Sequence, residues 1–428
     1  MDARDHKWAV GLSVAFILVG LFFVRLVPAG LPYDEPSHFN IVQLHSQLKG
    51  LPVVGQNGAT YEACQPPLYY FLTGLAYRLL STTAGPIAAF YSCRVLTLLA
   101  SAPLVYLTYQ LARELSSRRT IARCAAVLVA FNPSILSISA SIQNDSLAFL
   151  FASIASILCI RWCRQKMLCS GRTTSLALLT AAAIMTKSST LSLIPFIGLV
   201  IALTYRSNAV WRPMIFCAVL ALTTGWWFIR NHFLYGDFGG EQSIHALFAS
   251  EPGGKFHPLS VHDWIWATRS YITTYTLPVT YWRSEVKSPL WLTGAVGLGV
   301  CATVAGATLA LFRRRLPATA KRFSSRFAAP AAMFVLLATA LWLFISYRSF
   351  LVSARVAMPA LAATFFLVAG SLCELRNRAA QLVHVRRPLR LGLPMVAVFM
   401  LAANGCLLLK ASRLTHRPYQ IQLVSLTR

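Results

Sequence analysis

Two adjacent carboxylates, Asp34 and Glu35, follow directly on the first apolar stretch, within Leu31-Pro32-Tyr33-Asp34-Glu35-Pro36-Ser37-His38-Phe39. Acid is scarce in this chain: 13 Asp and Glu stand against 39 Lys and Arg. An acidic pair at the mouth of a membrane span has two readings. Asp34 caps a short helix with Pro36 in its first turn, or it is a general base at a membrane-surface active site. Glu35 is its neighbour, so on a helix or a strand its side chain points elsewhere and the two carboxylates differ in role. His38 lies four residues after Asp34 and shares its face on a helix. It either hydrogen-bonds an acceptor or caps local structure.

Other polar residues also interrupt apolar sequence: Asn144, Asp145, Lys187, Arg230, Arg348 and Arg355. A charge near the bilayer centre costs roughly 2.5–3.5 kcal/mol on insertion scales. Snorkelling lowers that cost near the interface, so Arg230 and Arg348 read either as interfacial anchors or as site cations. Lys187 and Arg355 have apolar sequence on both sides and call for partners. A few acids and several bases on one membrane face suit a reaction at a lipid-linked phosphate. Cations hold the anionic leaving group, and a carboxylate activates the attacking hydroxyl. Arginine offers a bidentate fork to phosphate; lysine acts as a point charge.

The elements that must position these residues are membrane spans. The chain is 56% hydrophobic and 12% charged, with mean hydropathy +0.58, and its apolar runs approach the length of a bilayer crossing. The expected fold is all-α: a polytopic transmembrane helical bundle of about 11 spans, with outer-face loops carrying short surface helices. Spans are expected at about 8–27, 87–112, 121–140, from Asp145 to about 162, and as two crossings within 174–205 that turn at Thr186-Lys187-Ser188-Ser189. Others follow at 213–229, 289–312, up to Tyr347-Arg348, 350–372 and 391–410. The N-terminal run reads as an uncleaved first span, since no A-x-A site follows it. Leu68–Leu80, after Gln65-Pro66-Pro67, is short and tyrosine-rich and is placed on the outer surface.

The net charge of +26 does not call for nucleic acid. The loops Arg113–Arg123, Arg161–Arg172, Arg313–Arg326 and Arg376–Arg390 all fall on one side, the positive-inside pattern that orients spans. That puts the active site on the outer side of what is expected to be a bacterial inner membrane, with outer loops at about 28–86 and 230–288. The ten cysteines show no metal-ligand or redox spacing and read as small core residues. The whole of 1–428 reads as a single domain.

On these motifs the sequence resembles the GT-C class of membrane glycosyltransferases, which includes protein mannosyltransferases and aminoarabinose transferases (family 39-like). The resemblance rests on Asp34-Glu35 with His38, Gln65-Pro66-Pro67-Leu68-Tyr69-Tyr70, Asn144-Asp145 and Thr186-Lys187. Gly225-Trp226-Trp227 then leads to Arg230-Asn231, and Arg355 precedes Pro359. Where members often have Gly-Arg-Tyr, this chain has Ala354-Arg355-Val356. The resemblance implies a polyprenyl-phosphate sugar donor and a glycan, lipid or protein acceptor reached from the outer face, with inversion at the anomeric carbon and a role in the cell envelope. It implies Asp34 as catalytic base and Glu35 as a residue that orients it or helps the acceptor. Lys187, Arg355 and Arg230 would hold the donor phosphate, and His38, Asn144, Asp145 and Gln65 would support the acceptor or the site. Some members of the class use a divalent cation, but adjacent carboxylates without a third ligand do not support one, so no metal or cofactor is expected. Two other readings use the same charges: a transporter or flippase of lipid-linked sugars, and a non-catalytic subunit that binds a lipid-linked glycan.

Overall fold

The structure is a computed structural model that describes residues 2–32, 34–205, 210–249, 260–261, 328–349, 354–382 and 392–412. The first helix, α1 (Ala3–Leu26), is capped by the Asp2 side chain, which accepts from the Asp5 backbone N–H at 2.8 Å. One of its faces exposes Val10, Val14, Leu18, Leu21 and Phe22 while Ala9, Phe16, Gly20 and Phe23 are buried. An exposed apolar stripe on a helix of 24 residues is a lipid-facing surface. Gly20 lies so close to Leu98 that a methyl group there would collide with it.

Then come α2 (Glu35–Ser46), a 3-10 turn (Tyr61–Cys64) and α3 (Leu68–Ala84). The expected surface stretch is thus a helix of 17 residues, longer than the sequence suggested. Its inward face carries Tyr69, Tyr70, Thr73, Gly74 and Tyr77, and its outward face exposes Phe71, Leu72, Leu75 and Leu79. That apolar outer face suits a helix lying in the membrane interface.

The bundle continues with α4 (Pro86–Ser101), α5 (Pro103–Leu115), α6 (Arg119–Ala130) and α7 (Pro133–Ser139). Helices α4 and α5 act as one 30-residue apolar span, whereas α6 and α7 bend by 55°. The bend falls at Asn132-Pro133. Pro133 has no N–H to continue α6, and the Asn132 side chain caps α7 by accepting from Ser134 and Ile135 at 2.9 and 3.1 Å. The expected third span, 121–140, is therefore a broken one.

Next are α8 (Asp145–Arg164), α9 (Ser170–Thr186), a 3-10 turn (Ser188–Ser192), α10 (Leu193–Tyr205) and α11 (Trp211–Tyr235). The apolar run 174–205 breaks at Lys187, as the sequence reading has it. Helix α11 runs past the expected end at 229 and stops at Gly236, whose φ of 81° is the left-handed C-cap that glycine tolerates. After α12 (Glu241–Ala249) the described chain resumes with α13 (Ala328–Ser349), a 3-10 segment (Ala354–Ala360), α14 (Leu361–Leu382) and α15 (Gly392–Ser412). The expectation that Arg355 lies one turn into an α-helical span is corrected: Arg355 and Pro359 belong to the 3-10 segment, and the α-helix begins only at Leu361. The expected span 289–312, Arg313–Arg326, most of the 230–288 loop, Arg390 and the Arg348 side chain lie outside the described residues.

Among the described residues, five helices are long and apolar enough to cross a membrane, or six if the bent pair counts as one span. The architecture is an all-α, polytopic membrane bundle. Its main core runs through α1, α4 to α11 and α13 to α15, and a second apolar cluster joins α2, α3 and α4 around Phe39, Tyr70, Tyr77 and Phe90.

Candidate active site

Asp34 stands at the head of α2 but does not cap it, since its side chain makes no capping hydrogen bond. One carboxylate oxygen, Oδ1, accepts from the Tyr61 hydroxyl at 2.7 Å. The other, Oδ2, pairs with the Arg355 guanidinium. The sequence left two readings open for this residue, and the geometry removes the capping one.

Glu35 turns the opposite way and is fully buried. Arg94 of α4 donates to both of its oxygens, at 2.7 and 2.5 Å, and the backbone N–H groups of Gly30 and Ile142 donate at 2.8 and 3.0 Å. The remaining Arg94 donors reach the carbonyls of Val24, Val27 and Pro28, which close the end of α1. This is a bidentate pair with its lone pairs and protons used up inside the protein. Glu35 has no free face for an acceptor, contrary to part of the sequence expectation. It fixes the turn that presents Asp34.

Asp145 opens α8 and is also buried, where the N-terminal end of the helix favours negative charge. Its Oδ2 meets Lys187 Nζ at 2.9 Å and Arg355 Nη1 at 3.5 Å. Lys187 and Arg355 therefore share one carboxylate oxygen, and their head groups form a single charged cluster. Lys187 also donates to Asn144 Oδ1 at 3.2 Å, and Asn144 Nδ2 donates to the Thr186 carbonyl at 3.2 Å. Arg355 Nη1 donates to Gln143 Oε1 at 3.1 Å. The cluster thus draws on α2, the start of α8, the break after α9 and the 3-10 segment before α14.

Two more residues belong here: Glu62, which the sequence did not mark, and Tyr70, which ends the Gln65–Tyr70 motif but had no role assigned to it. The Tyr70 hydroxyl donates to Glu62 Oε2 at 3.0 Å, and its oxygen lies 2.7 Å from His38 Nδ1. Burial pushes the Glu62 carboxyl up to about 7, partly offset by the Lys187 charge and the Tyr70 hydrogen bond. Burial, and then the Lys187 charge, holds His38 well below its usual value. Asp34, His38 and Glu62 are close enough to be considered together as metal ligands.

Among the described contacts, Arg230 makes none with this cluster. It donates to the Pro52 carbonyl at 2.7 Å and to Asn231 Oδ1 at 3.3 Å, and its guanidinium sits 4.7 Å from the Trp227 ring centroid. Next to it, Asn231 donates to the Cys64 carbonyl at 3.0 Å, and Tyr235 accepts from the Val54 N–H at 3.2 Å. The end of α11 is thus a clamp on the loop that brings Tyr61 and Glu62 to Asp34. The expectation that Arg230 holds phosphate gives way to this role. Gln65 follows the 3-10 turn directly and its half-buried side chain has an unpartnered Oε1.

Residues 70–236 match the family described as dolichyl-phosphate-mannose-protein mannosyltransferase. The matched stretch holds Asn144, Asp145 and Lys187 but not Asp34 or Arg355. No curated protein matches the sequence. The Archaeoglobus fulgidus oligosaccharyltransferase, solved tethered to an acceptor peptide, superposes at a TM-score of 0.50 with 13% identity, over 95% of this chain and 55% of that one. The chain thus spans just over half the length of that enzyme. ArnT from Cupriavidus metallidurans, solved with undecaprenyl phosphate, matches at a TM-score of 0.41 and 15% identity, over 87% of this chain and 79% of that one. The family match and the shared fold bear out the resemblance to the GT-C class.

Proposed function

We propose that this chain is a membrane glycosyltransferase. It moves a sugar from a polyprenyl-phosphate donor to a hydroxyl of a glycan, lipid or protein acceptor at the outer membrane face. The observation that carries the reading is the shared cluster: Arg355 touches both Asp34 and Asp145, and Lys187 touches Asp145. A candidate base and two cations meet at one end of a membrane bundle. The matched family, named for transfer from dolichyl-phosphate mannose to protein, supports a lipid-phosphate donor.

In this reading Asp34 takes the proton of the acceptor hydroxyl as its oxygen attacks the anomeric carbon. The bond from that carbon to the phosphate oxygen breaks on the opposite face, and the electron pair leaves with the phosphate. The configuration inverts. Lys187 and Arg355 stabilise the charge gathering on the phosphate, where fixed cations act most strongly. Arg355 is paired with Asp34 before the donor arrives. Moving it onto the phosphate releases Asp34 Oδ2 for the acceptor proton, so donor binding readies the base. Tyr61 keeps the carboxylate oriented through Oδ1.

The test is transfer from a purified polyprenyl-phosphate sugar, run beside donor affinity. Arg355→Ala weakens donor binding and transfer together if the cluster holds phosphate. Unchanged donor affinity would remove the reading. Mass spectrometry of cell-surface glycans in a deletion strain and its parent identifies the sugar.

A further inference from the structure

Two neighbouring amides lead into α8, and they are used differently. Asn144 uses both ends of its carboxamide inside the protein. Its Oδ1 accepts from Lys187 Nζ at 3.2 Å, and its Nδ2 donates to the Thr186 carbonyl at 3.2 Å and the Tyr70 hydroxyl at 3.4 Å. Gln143 uses one end only. Its Oε1 accepts from Arg355 Nη1 at 3.1 Å, while its Nε2 is buried with no hydrogen-bond partner among the described residues. Both residues are 0% exposed.

Arg355 fixes which end of the Gln143 amide is which. A guanidinium has no acceptor, so only the amide oxygen can face it, and the nitrogen keeps two unused donors. The backbone is held on either side. Ile142 donates its N–H to Glu35 Oε1 at 3.0 Å, and Asn144 is tied to Lys187 and Thr186. Stranded N–H donors in a buried site carry a desolvation cost that an apolar side chain of the same volume avoids. Donors held in this way mark a place for an acceptor atom that the chain itself does not supply.

The neighbours indicate what that acceptor is. The Arg355 Nη1 that Gln143 touches is also 3.5 Å from Asp145 Oδ2, and Lys187 Nζ is 2.9 Å from the same oxygen. Gln143 therefore borders the cluster whose cations are read as holding phosphate. In that cluster Asp34 and Asp145 already match Arg355 and Lys187 in charge. A further buried cation would stand unbalanced until the donor arrives, whereas an amide donates without a charge of its own. An ionised phosphate oxygen accepts and does not donate, which suits a group whose free atoms are donors only.

We propose that Gln143 is the uncharged third member of the phosphate site. Its carboxamide N–H groups donate to an oxygen of the donor phosphate while its own oxygen keeps hold of Arg355 Nη1. Arg355 then has a fixed pivot as its other nitrogen passes from Asp34 Oδ2 to the phosphate. This assignment rests on the reading of the cluster as a phosphate site and adds to it the group that contacts phosphate without neutralising it.

The probes are undecaprenyl phosphate and, as an uncharged control, undecaprenol, each bound to the full chain in detergent. Gln143→Met keeps the length of the side chain and removes both polar ends. It should weaken undecaprenyl phosphate binding by at least about tenfold, as loss of a hydrogen bond to a charged group does, and leave undecaprenol unchanged. An equal loss for undecaprenol would overturn the proposal. A residue that acted only by holding Arg355 would lose its effect once Arg355 is gone. The decisive variant is therefore Gln143→Met in the Arg355→Ala background, where a further loss of about tenfold is expected. No further loss there would overturn the phosphate contact and leave the role of the cations intact. Arg355→Ala without effect, beside a loss in Gln143→Met, would keep the amide contact and remove the role of Arg355. Unchanged affinity in both would remove the two together. Should Gln143→Met fail to fold, Gln143→Glu takes its place in both arms. It keeps an oxygen toward Arg355 but offers the phosphate no N–H, so unchanged affinity in that variant would also overturn the proposal.

Discussion

The two ends of the bundle both carry charge, and they carry it differently. At the end opposite Asp34, Glu114 pairs with Arg161 and Arg164 at 2.9 and 3.0 Å, and Asp2 and Asp5 pair with Arg119 and Arg123 at 2.8 and 3.1 Å. Those arginine side chains are 35–55% exposed. At the Asp34 end, the Arg94 and Glu35 side chains are both 0% exposed, and Arg355 is 10% exposed. Screened pairs in water contribute little and serve as anchors. Buried pairs are costly to assemble and strongly destabilising to break. Asp5 is also buried at the far end, at 1% exposed, but its arginine partners reach solvent. Among the described residues, only the Asp34 end buries both members of its pairs, which calls for a use there, and orientation in the membrane is use enough for the rest.

Breaking pairs at the two ends should expose this contrast. The largest effect is expected at Arg94. Arg94→Met leaves Glu35 buried without a cation and should cost about 3–5 kcal/mol, read as a fall in melting temperature and loss of transfer. A smaller loss in the double variant Arg94→Met, Glu35→Gln would show that the stranded charge is the cause. Next comes Arg355. Replacement by alanine should weaken donor binding more than replacement by lysine does, because lysine keeps the charge but not the fork. Equal losses would remove the bidentate role. Arg230→Ala should spare donor affinity and instead speed hydrogen exchange in residues 51–60, which it clamps; a donor-binding defect as large as that of Arg355→Ala would return it to the phosphate site. The smallest effect belongs to the far end, where Glu114→Gln should cost no more than about 1 kcal/mol and leave transfer unchanged.

The residues that carry this contrast were unequally legible. Lys187 and Asn144-Asp145 break apolar runs, and a polar residue in such a run marks itself. Asp34 was legible for the same reason. Arg94 interrupts an apolar span just as sharply and was passed over, because its partner Glu35 is 59 positions earlier and no spacing rule links them. Glu62 and Tyr61 lie in a glycine-rich loop without periodicity. What brings them to Asp34 is a set of long-range ties to α2 and α11: Thr60 to Asn40, Val54 to Tyr235 and the Cys64 carbonyl to Asn231. Arg355 was found but set in the wrong element. Pro359 has no N–H to return to the Arg355 carbonyl, and the chain takes tighter 3-10 turns until Leu361. The helical bundle itself was readable because apolar length and basic loops report on the membrane, a solvent outside the protein.

Asp34 separates a transferase most directly from a protein that only binds or moves the lipid-linked sugar. Asp34→Asn keeps the shape of the side chain and can still accept from Tyr61, so the protein should fold and bind donor. Removing a general base should slow transfer by at least about a hundredfold, the lower end of such effects. The measurement is transfer rate and donor affinity on the same purified protein. The account predicts that rate collapses while affinity survives. Transfer by Asp34→Asn at near the wild-type rate would contradict it and move the search for the base to Asp145 and Glu62.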